Sequence, residues 1–396
     1  MLKSESTDIV VIGAGPTGLI AAMEAAEHNV KVTVFEEHEE IGVPSHCAGL
    51  LSVDGLKRIG VTPSQIFVQN EIRGACFHSP TGLEFAVKGK SVMAYVVNRV
   101  AFDKDLAIKA ERSGVDIRLG NKVLGLIQRD KKISGVKTRS GAVESKVVIN
   151  CSGSFSTLNI ETGLELPKKI IPAVQYELEY STSKPDFVDI FVGHNVAPGF
   201  FAYVIPTSSE SVRVGLACED ANPRGLLNNF VKQKMGKYKI LSLKGGLISI
   251  GGPISKTYSN GFLVVGDAAG HTKPTTGGGV ITGGICAKIA GRIAAESINQ
   301  GNYSANFLAA YQKSWQNKLK KEFSAMSVAR KMFNRLSDET IDKIFKIVTE
   351  NKLQNVIEET GNIDFQSGAL YSLMRQPSVI KLILTVAGDL LQPKKS

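Results

Sequence analysis

Six residues near the start of the chain, Gly13-Ala14-Gly15-Pro16-Thr17-Gly18, restrict its fold more than any other feature. They follow the run DIVVI at 8–12, which reads as a short buried strand. They open residues 17–28, where Leu19, Ala22, Met23 and Ala26 fall on one helical face. Residues 30–35 read as a second strand, and Glu36 stands at its end, 18 residues past the third glycine. A G-x-G-x-x-G turn in that setting marks a dinucleotide-binding β-α-β unit. Gly13 permits the tight turn, Gly15 lets the backbone approach a pyrophosphate, and Gly18 lets the helix pack close to the sheet. The helix start at Pro16 offers free N–H groups and partial positive charge. Glu36, with Glu37 beside it, is placed to accept ribose hydroxyls and to repel a ribose 2′-phosphate.

Two further segments decide which dinucleotide. Gly266-Asp267 through Pro274 is G-D-x₆-P after the buried run GFLVV at 261–265. It continues through Thr275-Thr276 into Gly277-Gly278-Gly279 and the apolar helix that starts at Val280. Asp267 is suited to a ribityl hydroxyl, and the glycine run lets backbone N–H groups face a flavin or its phosphates. Arg99, at the start of the segment RVAFD, is placed to reach the pyrophosphate. Together these features point to FAD. His271 lies inside the G-D-x₆-P loop, so it is either flavin-proximal or an ordinary loop histidine.

The remaining composition bounds the function. The chain has 396 residues, 43% of them hydrophobic and 21% charged, which fits a globular protein of two or three domains. Its net charge of +10 favours anionic partners. No run of five like charges occurs, and no basic stripe with interleaved aromatics, so a nucleic-acid partner is not expected. Five scattered cysteines without a C-x-x-C argue against a disulfide framework, and no metal site is expected. The apolar runs are too short or too interrupted to span a bilayer. The expectation is a cytoplasmic protein, or one peripheral at the inner membrane face.

The pattern predicts an α/β chain, α+β overall, in three parts. Residues 1–65, 95–165 and 256–302 form a discontinuous Rossmann-type FAD-binding domain. Residues 66–94 and 166–255 form an antiparallel-sheet substrate domain, with a hairpin turn at Ser79-Pro80-Thr81-Gly82 and a helix near 223–235. Residues 303–396 form a C-terminal helical segment, with Phe307, Tyr311, Trp315 and Leu319 on one face. That segment carries 14 Lys/Arg against 9 Asp/Glu. Its last helix, with Val379, Ile380, Leu382, Ile383, Val386, Ala387 and Leu390 on one face, packs on the protein's own core or docks on anionic lipid.

The motifs at Gly13/Gly15/Gly18/Glu36, Arg99 and Gly266-Asp267…Pro274 resemble the flavoproteins of the p-hydroxybenzoate-hydroxylase type. Those hydroxylases usually carry Asp-Gly where this chain has Ser152-Gly153. Pro198-Gly-Phe-Phe201-Ala-Tyr203-Val-Ile205-Pro206 further resembles the P-x-x-Y-x-W-x-F-P motif of the geranylgeranyl reductase family. Gly42-Val-Pro44-Ser-His46-Cys47-Ala48-Gly49 resembles that family's G-x-P-x-x-C loop. The resemblance implies a reductase that saturates isolated C=C bonds of geranylgeranyl chains, in archaeal-type membrane lipids or prenyl diphosphates. It implies that Phe200, Phe201 and Tyr203 contact the prenyl chain, and that Cys47 and Ala48 approach the flavin.

An unactivated alkene needs a hydride at one carbon and a proton at the other. Aromatic faces would stabilise the positive charge that builds between them. Cys47 is the first candidate for the proton, with His46 beside it; the plainer reading of Cys47 is an inert packed thiol. The reductant is external: NADPH, ferredoxin or a deazaflavin. Two rival readings are a flavin monooxygenase of the hydroxylase type and a peripheral flavoprotein that passes electrons to quinone.

Overall fold

A computed structural model describes residues 5–154 and 157–385. Four strands, Ile9–Ile12, Val32–Phe35, Val147–Asn150 and Phe262–Val264, are apolar or β-branched at every position but Asn150 and buried throughout. Such runs suit a parallel sheet covered on both faces. They form the middle of a six-stranded sheet in the order 258–259, 262–264, 147–150, 9–12, 32–35, 116–118. Only the outermost pair, Tyr258–Ser259 with Phe262–Val264, is antiparallel.

Helices Pro16–Ala26 and Val280–Asn299 lie together on one face of this sheet and bring their glycine-flanked starts to the same end. The approach is backbone to backbone. A side chain at Gly291 would overlap the Ala21 carbonyl of the other helix, and one at Gly18 would overlap the Gly13 carbonyl of its own turn.

The second layer is a seven-stranded sheet in the order 239–249, 170–179, 211–217, 202–206, 187–191, 74–78, 84–88. The segment 166–255 supplies five of its strands and the helix Pro223–Lys234, as expected. Leu227, Phe230 and Val231 of that helix pack on Tyr176, Leu178 and Val214. The sheet is not wholly antiparallel, because Phe187–Phe191 pairs parallel with Gly74–His78. Strand period alone cannot show this, since it is the same for both ladder types. The hairpin 74–88 turns where expected, with Gly82 N–H donating to the Ser79 carbonyl at 3.1 Å. Val68–Ile72 pairs instead with Ala94–Val97, which also pairs with Leu50–Ser52 in a small sheet between the two layers.

The helix Ala305–Phe333 buries Tyr311, Trp315 and Leu319 against the nucleotide-binding layer. Shorter helices follow, and no described helix is long and apolar enough to cross a membrane. Of the expected apolar face of the last helix, the side chains from Leu382 onward lie outside what the structure describes, as do all residues past Thr385, including the tail Lys394-Lys395. The C-terminal segment is clamped to the glycine run by a buried ion pair, Lys273 Nζ to Asp364 Oδ1 at 2.6 Å. Ser52 Oγ also donates to Asp364, and Glu322 holds Ser367 through N–H at 2.8 Å and Oγ at 2.5 Å.

His271 belongs to this packing, not to a flavin-proximal surface. It is fully buried, with its ring 4.8 Å from Trp315 and 6.2 Å from Phe323. Its Nδ1 accepts from Gly266 N–H at 3.3 Å, so Nε2 carries the proton among aromatic rings. Burial holds its pKa down to about 3, from an ordinary 6.5. The folded value lies below the unfolded one, so its contribution is complete above pH 6.5 and is lost as pH falls, by up to about 1.4 kcal/mol per unit. Urea midpoints of wild type and His271→Gln test this. Between pH 6.5 and about pH 5 the wild type is expected to lose more stability than the variant. Parallel curves would mean that His271 charges freely in the folded protein.

Candidate active site

One cavity of about 1290 Å³ runs between the two layers. That exceeds the roughly 300–1,000 Å³ of a single ligand pocket. Gly13, Gly15, Pro16, Glu36 and Glu37 line one end. Arg99, Cys47, Ala48 and Asp267 line the middle with Gly277, Gly278, Gly279 and Val280. Phe200, Phe201 and Tyr203 line the wall given by the second sheet. Three expected contact residues lie behind the wall: Gly18 in the helix–sheet contact, and Gly266 and Pro274 in the loop that supports Asp267 and the glycine run.

The nucleotide end is marked by how its helices begin. Six described helices are longer than ten residues. Asn98, Asn222, Ser304 and Ser337 cap four of them by accepting backbone N–H groups. The other two, Pro16–Ala26 and Val280–Asn299, begin at Gly15 and Gly279 with no side-chain cap. Both uncapped starts open on the cavity. Their free N–H groups and partial positive charge suit electronegative ligand atoms. A Cβ at Gly15 would meet nothing within 4 Å, so the backbone there stands clear for a ligand.

The acidic groups complete the cradle. Glu36 Oε2 accepts from Ala14 N–H at 2.8 Å, and Oε1 from His38 N–H at 3.1 Å. This fixes the carboxylate at the mouth of the glycine turn. Glu37 pairs with Lys122 at 2.6 Å on the outer rim, and that lysine's hydrogen bond holds its pKa below the usual range. Asp267 faces the cavity with one weak protein contact, Ser154 Oγ at 3.5 Å. Burial pushes its pKa up, and only Arg99 and Ser154 pull against this. A buried carboxylate so poorly provided awaits a donor. These residues fit FAD: the two helix starts for its phosphates and ring edge, and the two carboxylates for its hydroxyls.

Arg99 is not a free arm. Its Nε and Nη2 grip Asp103 at 3.0–3.1 Å, one helical turn on. Burial opposes the charge, but Asp103 outweighs it and keeps the guanidinium protonated. Cys47 lies beside Arg99, near enough to act on its charge, and its Sγ accepts from Gly49 N–H at 3.4 Å. His46 turns elsewhere, onto the backbone at Gly245 and Gly246, at an exposed end of the cavity. Partial desolvation there lowers its pKa. The two neighbours in sequence therefore serve different surroundings. Ser152, at the position of the hydroxylases' Asp, is tied to Asn150 through N–H at 3.2 Å and through its hydroxyl.

Several lining residues carried no sequence signal. Gln175 is one: Tyr203 Oη donates to its Oε1 at 2.8 Å, while its buried Nε2 has no partner among the described residues. Burial raises the Tyr203 pKa, so the phenol stays neutral. Buried Arg213 pins the cysteine loop by donating Nη1 to the carbonyls of Ala48 and Val97, each at 2.9 Å. Arg330 sits 4.9 Å over the Phe200 ring and donates to Pro274 O and Glu219. Beyond the aromatic strand the cavity continues as an apolar arm walled by Phe77, Phe85, Ile190, Val192, Phe333, Ile344, Phe345 and Val348. Phe85 stacks on Phe77 at 5.0 Å and meets Phe345 at 5.0 Å. The helical period of 341, 344, 345 and 348 was readable, but not its partner hairpin.

Comparison with known proteins accords with this geometry. The FAD binding domain family matches residues 6–233. A digeranylgeranylglycerophospholipid reductase of Methanothermobacter thermautotrophicus is 33% identical over 361 residues, 88% of this chain and 93% of that protein. One from Methanocaldococcus jannaschii is 30% identical over 389 residues, 94% of this chain and 96% of that protein. Among solved structures, a geranylgeranyl bacteriochlorophyll reductase-like protein of Thermoplasma acidophilum superposes with a TM-score of 0.86 at 25% identity. That match covers 98% of this chain and 100% of that one. The two open helix starts, the carboxylates facing them and these relationships agree: the chain belongs to the digeranylgeranylglycerophospholipid reductase family, and its cofactor is FAD.

Proposed function

We propose that this protein saturates isolated C=C bonds in geranylgeranyl chains of membrane lipids or their diphosphate precursors. The observation that carries this reading is the continuity of the cavity, from two uncapped helix starts to an arm walled by aromatic and aliphatic side chains. A twenty-carbon chain gains roughly 0.8 kcal/mol for each methylene that such an arm buries. FAD, when bound and reduced by an external donor, supplies the hydride.

The chain's residues supply the rest. Phe201 and Tyr203, with centroids 6.5 Å apart, present ring faces to charge developing at a tertiary carbon. Tyr203 Oη is turned aside onto Gln175, which fixes the ring. Cys47 Sγ holds the proton for the second carbon. The guanidinium of Arg99 stands beside it. Arg213 holds the backbone of that loop in place. His46, at the exposed end, exchanges protons with water. The walls of the arm exclude water from the reacting bond.

Mass spectrometry of a geranylgeranyl lipid incubated with the protein and dithionite tests the reading directly. The expected gain is about two mass units for each bond saturated. A product carrying added oxygen under air and NADPH would replace this reading with the hydroxylase one. Electrons passing to quinone with no change in the lipid would favour the carrier.

Removing the cavity's buried carboxylate tests the cradle. Asp267→Ala is expected to weaken FAD retention by about 10- to 100-fold, as loss of a charge-assisted hydrogen bond does. Asp267→Asn, which keeps an acceptor, should lose less. Equal flavin absorption after gel filtration in all three proteins would remove Asp267 from the site.

Cys47 is tested in single turnovers of the reduced protein. Cys47→Ala and Cys47→Ser are expected to slow lipid reduction by about 10²-fold or more, the usual worth of a positioned acid, with flavin content unchanged. Undiminished rates in both would assign the proton to another group.

A further inference from the structure

The outer edge of the seven-stranded sheet has an unusual surface. Residues 232–244 contain five lysines, at 232, 234, 237, 239 and 244, and no acid. Within them Ile240, Leu241 and Leu243 are 48%, 52% and 42% exposed. Strand Lys239–Ser249 has a neighbour on one side only, Ile170–Glu179. The pairing is irregular where Ser242 faces Glu177 and Ile240 faces Leu178, which leaves Leu241 without a partner. A bulge of this kind twists an edge and works against pairing with a second copy. Edge lysines would guard the strand by themselves; three large apolar side chains left among them undo that protection.

The charge is mostly unspent. Lys239 meets Glu179 at 3.6 Å, with both side chains well exposed, and Lys244 meets Glu177 at 3.8 Å. Lys234 lies 5.8 Å over the Phe191 ring. Lys232 and Lys237 have no ion pair among the described residues. The same strand then enters the cavity wall. Lys244, Gly245, Gly246, Leu247 and Ile248 line it, and His46 packs on Gly246 at the exposed end.

We propose that the edge formed by residues 232–244 is the surface through which the protein docks on an anionic lipid bilayer, with Ile240, Leu241 and Leu243 entering the interface and the lysines on the headgroups. The proposal rests on the lipid-reductase reading for its purpose, since a chain leaving the bilayer at Leu243 meets the cavity wall one residue later. Its physical basis is separate: apolar insertion ringed by uncompensated positive charge.

The test uses the full-length FAD-loaded protein and vesicles of phosphatidylcholine with or without phosphatidylglycerol, containing no isoprenoid. Sedimentation is expected to carry the protein down with the anionic vesicles only, and less so as salt rises. Lys232→Gln with Lys237→Gln should weaken that partition by about 25-fold, near fivefold for each lysine. Ile240→Ser, Leu241→Ser and Leu243→Ser combined should weaken it as well. All five positions are exposed, so melting temperature, flavin content and turnover of detergent-dispersed lipid should stay unchanged.

Failure of the wild type to bind, or binding that both variants retain, overturns the proposal; the second result would place docking elsewhere, such as the C-terminal helices. A dimer that the triple-serine variant dissolves, with vesicle binding intact, also overturns it and makes the edge a contact between copies. Variant-sensitive vesicle binding by a protein that reduces no isoprenoid upholds the surface and sinks the reductase reading, so the two failures are distinct.

Discussion

Two helix starts with no side-chain cap, held at one end of one cavity, are the constraint on which the rest of the site depends. Unpaired N–H groups at a buried helix end are costly, and the four other long helices meet that cost with Asn or Ser. Gly15 and Gly279 cannot. The backbone contact at Gly291 keeps the two helices together on one face of the parallel sheet, and the one at Gly18 seats the first of them on its own glycine turn. The ligand that satisfies them is thereby set in a fixed relation to Asp267, Arg99 and the loop carrying Cys47.

The C-terminal helices are tied to this arrangement through charge. Lys273 stands just before the glycine run, and its partner Asp364 comes from a segment ninety-one residues later. The pair is buried and hydrogen-bonded on both sides, so removing one member would strand the other in an apolar setting. Glu322 and Ser367 repeat the tie one layer out. Through these contacts the helices that wall the apolar arm are fixed to the loop that faces the cofactor, and the two ends of the cavity keep one register.

Much of this was readable in the residues. The first β-α-β unit, the G-D-x₆-P loop and the aromatic strand are local, and local patterns carry their geometry with them. Gly13, Glu36, Asp267, Cys47 and Tyr203 all reach the cavity. The misses share one cause. The sequence left His271 open between a flavin-proximal residue and an ordinary loop histidine; its packing on Trp315 and Phe323 is set by a helix some fifty residues away. Gln175, Arg213 and Arg330 matter because of what faces them across a sheet or a loop, and no spacing records that. The parallel pairing of 187–191 with 74–78 was equally hidden. The pairing of Cys47 with His46 by adjacency dissolved for the same reason: successive residues in an extended loop point apart.

The parallel pairing of Phe187–Phe191 with Gly74–His78 has a consequence for how such a pocket changes over time. It adds a hairpin to the far border of the sheet, where Phe85 meets Phe345 and stacks on Phe77 in the wall of the apolar arm. None of these residues touches the nucleotide cradle. If the arm holds the prenyl tail, as proposed, trimming or enlarging them alters how long a tail fits while the nucleotide cradle stays as it is. Selection for chain length and selection for electron transfer can therefore act on separate stretches of one polypeptide.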